Sequence, residues 1–158
     1  MAKGSAMSLD PLYDSFKLGT CDTTGLAEPQ YACPAGEINI DYSGLTPAGV
    51  HKLSANANIV YSFNLANSLD GFFRLEYVYN DLVPVQDLIP QSIAERSFKN
   101  VNASLGFDSG DWSLMLWGRN MTNHETLYSA FPTTAAPGSF SGYPSAPSTY
   151  GVTFKMNF

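Results

Sequence analysis

The residues in this chain that carry chemistry are few and scattered. His51 and His124 are the two histidines among 158 residues. Serines and aspartates accompany them, but no Gly-x-Ser-x-Gly elbow occurs and nothing in the spacing sets a base against a nucleophile. No catalytic residue is expected. No phosphate-cradling glycine motif is present, and no cofactor is implied. Cys21 and Cys33 stand in a Gly-, Pro- and Thr-rich stretch, a spacing that suits a loop disulfide in an oxidising compartment. A zinc site would need closer cysteine pairs and further ligands, so no metal is expected.

Ligand contact is the chemistry left open. His124 lies beside Glu125 just past Asn120-Met-Thr-Asn123, where it is either a ligand contact or a solvated residue at a strand end. Phe131, Phe140 and Tyr143 fall in a Gly/Pro/Ser segment and are candidates for gripping a ligand from a loop, or for packing that loop on itself. Arg74, Glu76, Arg119 and Lys155 occupy the polar positions of alternating stretches. On a wall facing hydrocarbon an Arg or Lys costs about 2–4 kcal/mol at midplane. These four charges are therefore expected on the opposite, lumen-facing side.

The elements that hold them read as strands. The closing stretch puts Tyr150, Val152, Phe154, Met156 and Phe158 on one face and Gly151, Thr153, Lys155 and Asn157 on the other. Lys52–Phe63 alternates in the same way, broken only by Val60. Phe73, Leu75, Tyr77 and Tyr79 oppose Arg74, Glu76 and Asn80. Val101, Ala103, Leu105 and Phe107 oppose Asn100, Asn102 and Ser104. Trp112, Leu114 and Leu116 continue the set, with Met115 and Trp117 blurring the face. A sixth, poorly alternating strand is expected around Asp10–Lys17. Residues 1–7 read as a non-native leader or the tail of an upstream strand.

Composition limits the setting. The chain is 44% hydrophobic but only 14% charged, against roughly a quarter charged in an ordinary soluble domain. No run approaches the ~20 apolar residues of a spanning helix. A net charge of −6 without a basic cluster argues against a nucleic-acid partner. Long and short connections alternate along the chain. Tyr61, Phe63, Phe73, Phe107, Trp112 and Phe158 gather beside the short ones, as in an aromatic girdle.

The expected fold is all-β: antiparallel up-and-down strands forming part of a transmembrane β-barrel. About eight strands is the smallest such barrel, so the strands visible here are expected to belong to a larger one.

Three stretches resemble a known family. Asp41-Tyr-Ser-Gly through His51-Lys-Leu-Ser-Ala-Asn56 resembles the approach to a late strand in TonB-dependent outer-membrane receptors. Gly49-Val50-His51 replaces the family's usual Pro there. Trp112-Ser-Leu-Met-Leu-Trp-Gly-Arg-Asn-Met-Thr-Asn123 is similar to the family's penultimate strand and its Asn-Leu-x-Asp/Asn ending. Tyr150–Phe158 looks like its terminal strand, the segment read by the barrel-assembly machinery. The resemblance covers residues 8–158.

It implies the last strands, about six, of a barrel of the 22-stranded transporter type, without the plug domain and TonB box. The implied function is active uptake of a scarce ligand (an iron-siderophore, cobalamin, sugar or peptide), taken at extracellular loops. The implied partners are outer-membrane lipid and the TonB complex, with the C-terminus periplasmic. The alternatives are a small complete outer-membrane barrel with a structural or adhesive role, and a soluble β-sandwich binding module.

Overall fold

The computed structural model describes residues 1–25, 27, 29–66, 68–90, 95–134, 136 and 138–157. It is all-β and antiparallel. Six strands form the main sheet: β1 (Ala2–Ser8), β4 (Leu53–Ala66), β5 (Leu69–Pro84), β6 (Glu95–Asp108), β7 (Trp112–Arg119) and β10 (Thr149–Met156), in the order β1-β4-β5-β6-β7-β10. Two short pairs stand apart, β2 (Gly19–Thr20) with β3 (Asn39–Ile40), and β8 (Leu127–Pro132) with β9 (Phe140–Pro144). β1 and β10 are the two edges of the main sheet and are not paired with each other.

Register sorts the side chains by face, because directly opposed residues of neighbouring strands project to the same side. Ile59, Leu75 and Ala103 are successive partners, as are Phe73, Leu105, Leu116 and Val152. The apolar sets of the main strands therefore merge into one continuous oily face, to which β1 adds Ala2, Gly4 and Ala6. Met115 and Trp117, ambiguous in the sequence, lie opposite Gly106 and Ser104 and so belong to the polar face.

No second layer covers the oily face among the described residues: Val152 is 66% exposed, Phe154 61% and Tyr61 63%. The buried hydrophobics lie elsewhere. Cys21, Tyr31, Tyr42, Ile89 and Ala130 sit on the long connections, and Val83 lies near the end of β5 that leads into one.

Glycines facing aromatics fix this register. Phe63 opposes Gly71, Phe72 opposes Gly106, Trp117 opposes Gly151 and Tyr150 opposes Gly118. In each pair the ring lies across the glycine, so that a Cβ there would run into it. The glycine supplies room and the ring covers the backbone it leaves bare. A slip by one residue would break all four pairs together.

The two ends of the sheet differ. At one end β4 turns into β5 within a few residues, and Asp108–Asp111 joins β6 to β7, with Gly110 at a φ of 87°. There Tyr61 stacks on Phe63 at 5.9 Å, Phe63 meets Phe107 edge-on at 6.5 Å, and Trp112 stacks on Phe154 at 6.4 Å. The Asn157 amide and side chain donate to Asp111 O and Gly110 O at 2.8 and 2.9 Å, tying the last strand to this turn. Phe158 lies outside the described residues. The three long connections, residues 9–52, 85–94 and 120–148, all emerge at the other end.

Two expectations are corrected. Asp10–Lys17 is not a strand: Tyr13 and Phe16 leave any alternation to join a ring cluster with Tyr31 and Tyr42, at centroid distances of 5.2 to 5.9 Å. Residues 2–8 form a full edge strand on β4. The segment 122–146, read as loop, carries the β8–β9 hairpin. The main strands also run further than alternation suggested: beyond Phe63, Asn64 and Asp70 are still paired across β4 and β5.

Candidate functional site

The end with the long connections is where side chains from separate parts of the chain converge. The 9–52 connection is pinned by the Cys21–Cys33 disulfide, with a Cα separation of 5.0 Å, and by the ring cluster around Tyr42. Burial, reinforced by the negative Asp87, pushes the Tyr31 phenol up to about 12 and raises Tyr13 and Tyr42 as well. Asp87, from the 85–94 connection, also accepts the Ala48 amide at 3.0 Å. Arg96 at the start of β6 donates to Tyr128 O at 3.0 Å and to Gly49 O at 3.5 Å, so one guanidinium joins two connections. Neither Asp87 nor Arg96 has a periodic or motif signal in the sequence; only the fold reveals them as struts.

Between these connections lies a cleft of about 290 Å³. Leu88, Pro132 and Phe140 supply apolar wall, while Thr23, Thr133 and Ser139 supply hydroxyl groups. The Asp22 carboxylate, also on the lining, accepts the amides of Thr24 and Ala27 at 2.8 Å each. An apolar wall with a few convergent polar groups suits a small polar ligand.

The four loop candidates do not form one site. Phe140 lines the cleft and packs against Ile89 and Ala130. Phe131 and Tyr143 pair across the β8–β9 hairpin at 5.8 Å, with Tyr143 64% exposed. His124 is a brace: its Nε2 is 3.2 Å from Ser97 O, and its amide donates to Asn120 Oδ1 at 3.0 Å.

Asn120 is the hub of that corner and is buried. Its backbone takes a φ of 47°, its side-chain amide donates to Ala146 O at 2.9 Å and His124 O at 3.2 Å, and its own amide donates to Asn102 Oδ1 at 3.1 Å. Asn123 repeats the conformation at a φ of 48° and accepts the Ser148 amide at 3.0 Å. Asparagine tolerates this left-handed region better than most residues and bonds locally while there. The Asn120-Met-Thr-Asn123 stretch is thus a clasp that ends β7 and directs the chain back toward β10.

Arg74, Glu76, Arg119 and Lys155 all project from the polar face of the main sheet, Lys155 opposite Ser113 at the β10 edge. Arg74 pairs with Glu76 at 2.6 Å, and Asn58 donates to the same Glu76 oxygen at 3.1 Å. Tyr150, Val152, Phe154 and Met156 lie in line on the oily face of β10.

Compared with known proteins, the chain matches no family model, no curated protein and no solved structure.

Proposed function

We propose that this chain is a section of the wall of an outer-membrane transport barrel of the TonB-dependent receptor class, the C-terminal strands of a barrel of the 22-stranded type. The single observation that carries this is the oily face: broad, continuous over six strands, and uncovered by any other part of the described chain. In water an apolar patch of this extent is a liability. Against hydrocarbon it is the stable arrangement, and the charged face then lines the lumen.

Two further observations support the reading. Every long connection leaves at one end, and the aromatic pairs of the main sheet, Tyr61–Phe63, Phe63–Phe107 and Trp112–Phe154, gather at the other, as expected for extracellular loops and a periplasmic girdle. The two sheet edges are unpaired, which favours a section of a larger wall over a small closed barrel, because lipid does not tolerate open strand edges.

On this reading the loop-end cleft faces outward and takes the transported ligand, with Phe140 at its wall. The β10 strand is what the assembly machinery reads, and the C-terminus is periplasmic. Energy from the TonB complex would enter through parts of the protein outside these strands. The chain itself acts as wall and receptor, not as an enzyme.

The test uses adjacent residues of β4 that face opposite ways, Ala57 and Asn56. Both are exposed. Folding into phosphatidylcholine vesicles is measured by protease protection. Ala57→Arg is expected to lower the stability of the folded state by about 2–4 kcal/mol near midplane, and Asn56→Arg by well under half of that. Equal costs at the two positions would mean that water bathes both faces, and would remove the barrel.

A further inference from the structure

The polar face of the sheet carries a second site, distinct from the loop-end cleft. Across β5, β6, β7 and β10 the residues Arg74, Ser104, Trp117 and Gly151 are successive partners, and Glu76 and Asn102 pair in the next row with Arg119 beyond them. Ser104 and Asn102 are short and form a floor. Arg74 and Glu76 rise on one side of it, Trp117 and Arg119 on the other. The walls are two interstrand spacings apart, about 10 Å, and enclose a cavity of about 360 Å³.

Each wall is held in place before any ligand arrives. Trp117 lies flat over Gly151 and donates through Nε1 to Thr153 Oγ1 at 3.2 Å. The Arg119 guanidinium sits 5.2 Å from the centre of that ring. Among the described residues no carboxylate lies within ion-pair distance of Arg119, so its charge is unneutralised and its donors are free of an acidic partner. Opposite it, Arg74 and Asn58 both bind Glu76 through Oε1, which leaves Oε2 as an acceptor. The two guanidinium groups and one carboxylate give the trough one excess positive charge.

We propose that this trough binds a small polar solute bearing a carboxylate next to hydroxyl or amino groups. Arg119 takes the carboxylate in the two-pronged manner its planar fork allows. Glu76 accepts from the neighbouring hydroxyl or amine, and Asn102 and Ser104 meet the solute from below. The geometry does not depend on what bathes the opposite face. The proposal rests on the barrel reading only in making the trough part of a transport path.

The probe pair is D-glucuronate and D-glucose, which share a ring and differ in the carboxylate. Trp117 reports binding by its fluorescence in a Trp112→Phe background, with the whole chain in detergent micelles. Glucuronate is expected to give a saturable change in the millimolar range, and glucose none. Arg119→Gln should weaken glucuronate by about tenfold or more, and Arg119→Lys should fall between, keeping the charge without the fork. Arg74→Gln, an independent variant should Arg119→Gln fail to fold, should also weaken it. Lys3→Gln, the same charge change on β1, should leave it unaltered.

A response to sodium chloride at equal ionic strength that matches glucuronate, equal binding of glucose, an unchanged Arg119→Gln or no saturable response would each overturn the site. Glucuronate binding that survives while Ala57→Arg and Asn56→Arg cost the same would remove the barrel and leave the trough. A cost confined to Ala57→Arg without glucuronate binding would do the reverse.

Discussion

Gly106→Ala is a one-carbon change whose cost the sheet places on a single partner. A Cβ at Gly106 would fall within the ring of Phe72 on the neighbouring strand, closer than real Cβ contacts come. The ring must swing off the backbone or the strands must part. Overpacking of this kind costs about 1–3 kcal/mol. Phe72→Ala removes the three atoms that lie nearest the added methyl, and replacing a strand-interior glycine then gains about 0.5–1 kcal/mol. The double-mutant cycle should therefore yield a coupling of about 1.5–4 kcal/mol.

Urea unfolding in detergent micelles, followed by tryptophan fluorescence, measures all four corners of the cycle. Gly110→Ala is the control: its left-handed φ makes any side chain costly, but nothing lies near its Cβ position. Its cost should be the same with or without Phe72. If Gly106→Ala costs equally in both backgrounds, the ring is not what the glycine accommodates, and the account of how register is held is wrong.

The remaining expectations concern the loop end. Reducing the Cys21–Cys33 bridge, whose cysteines are 12 residues apart, should loosen residues 18–50 by about 3 kcal/mol; limited proteolysis would show cuts there while the strand signal in circular dichroism persists. Asn120→Ala should cost about 2–4 kcal/mol, combining left-handed strain with lost buried hydrogen bonds. Asn120→Gly should recover the strain portion alone, as read from unfolding midpoints. Tyr31 is raised to about 12, so the folded loop favours its neutral form. That contribution is whole below pH 10 and lost as pH climbs from 10 to 12. Ultraviolet titration should show late-titrating tyrosines with Tyr31 last, and Tyr31→Phe should remove that last step and flatten the alkaline loss of loop structure.

Much of the sheet was legible because strand side chains alternate and here one set is oily. β4, β5, β6, β7 and β10 follow from that pattern, and the paired cysteines from their spacing. β1 was not legible: Ala2, Gly4 and Ala6 are too small to look like an apolar face until β4 lies beside them. β8 and β9 were hidden by the Pro, Gly and Ser around them, and Tyr13 and Phe16 imitated a strand while serving a ring cluster. The trough around Arg119 was invisible for a different reason. Arg74 and Trp117 are far apart in sequence, and only the pairing of three strands brings them to opposite sides of Ser104. The glycine–aromatic pairs are hidden in the same way, since alternation reports faces and not partners.

The outer margins of β1 and β10 have a practical consequence. Each offers a row of amide hydrogens and carbonyl oxygens to whatever extended chain comes near, beside a face that water disfavours. Purified by itself without detergent, the polypeptide should recruit copies of itself margin to margin, with a lag that shortens as protein is added. Lysine or proline placed at the outward-bonding positions of β10 should lengthen that lag, although those positions take no part in any ligand contact described above.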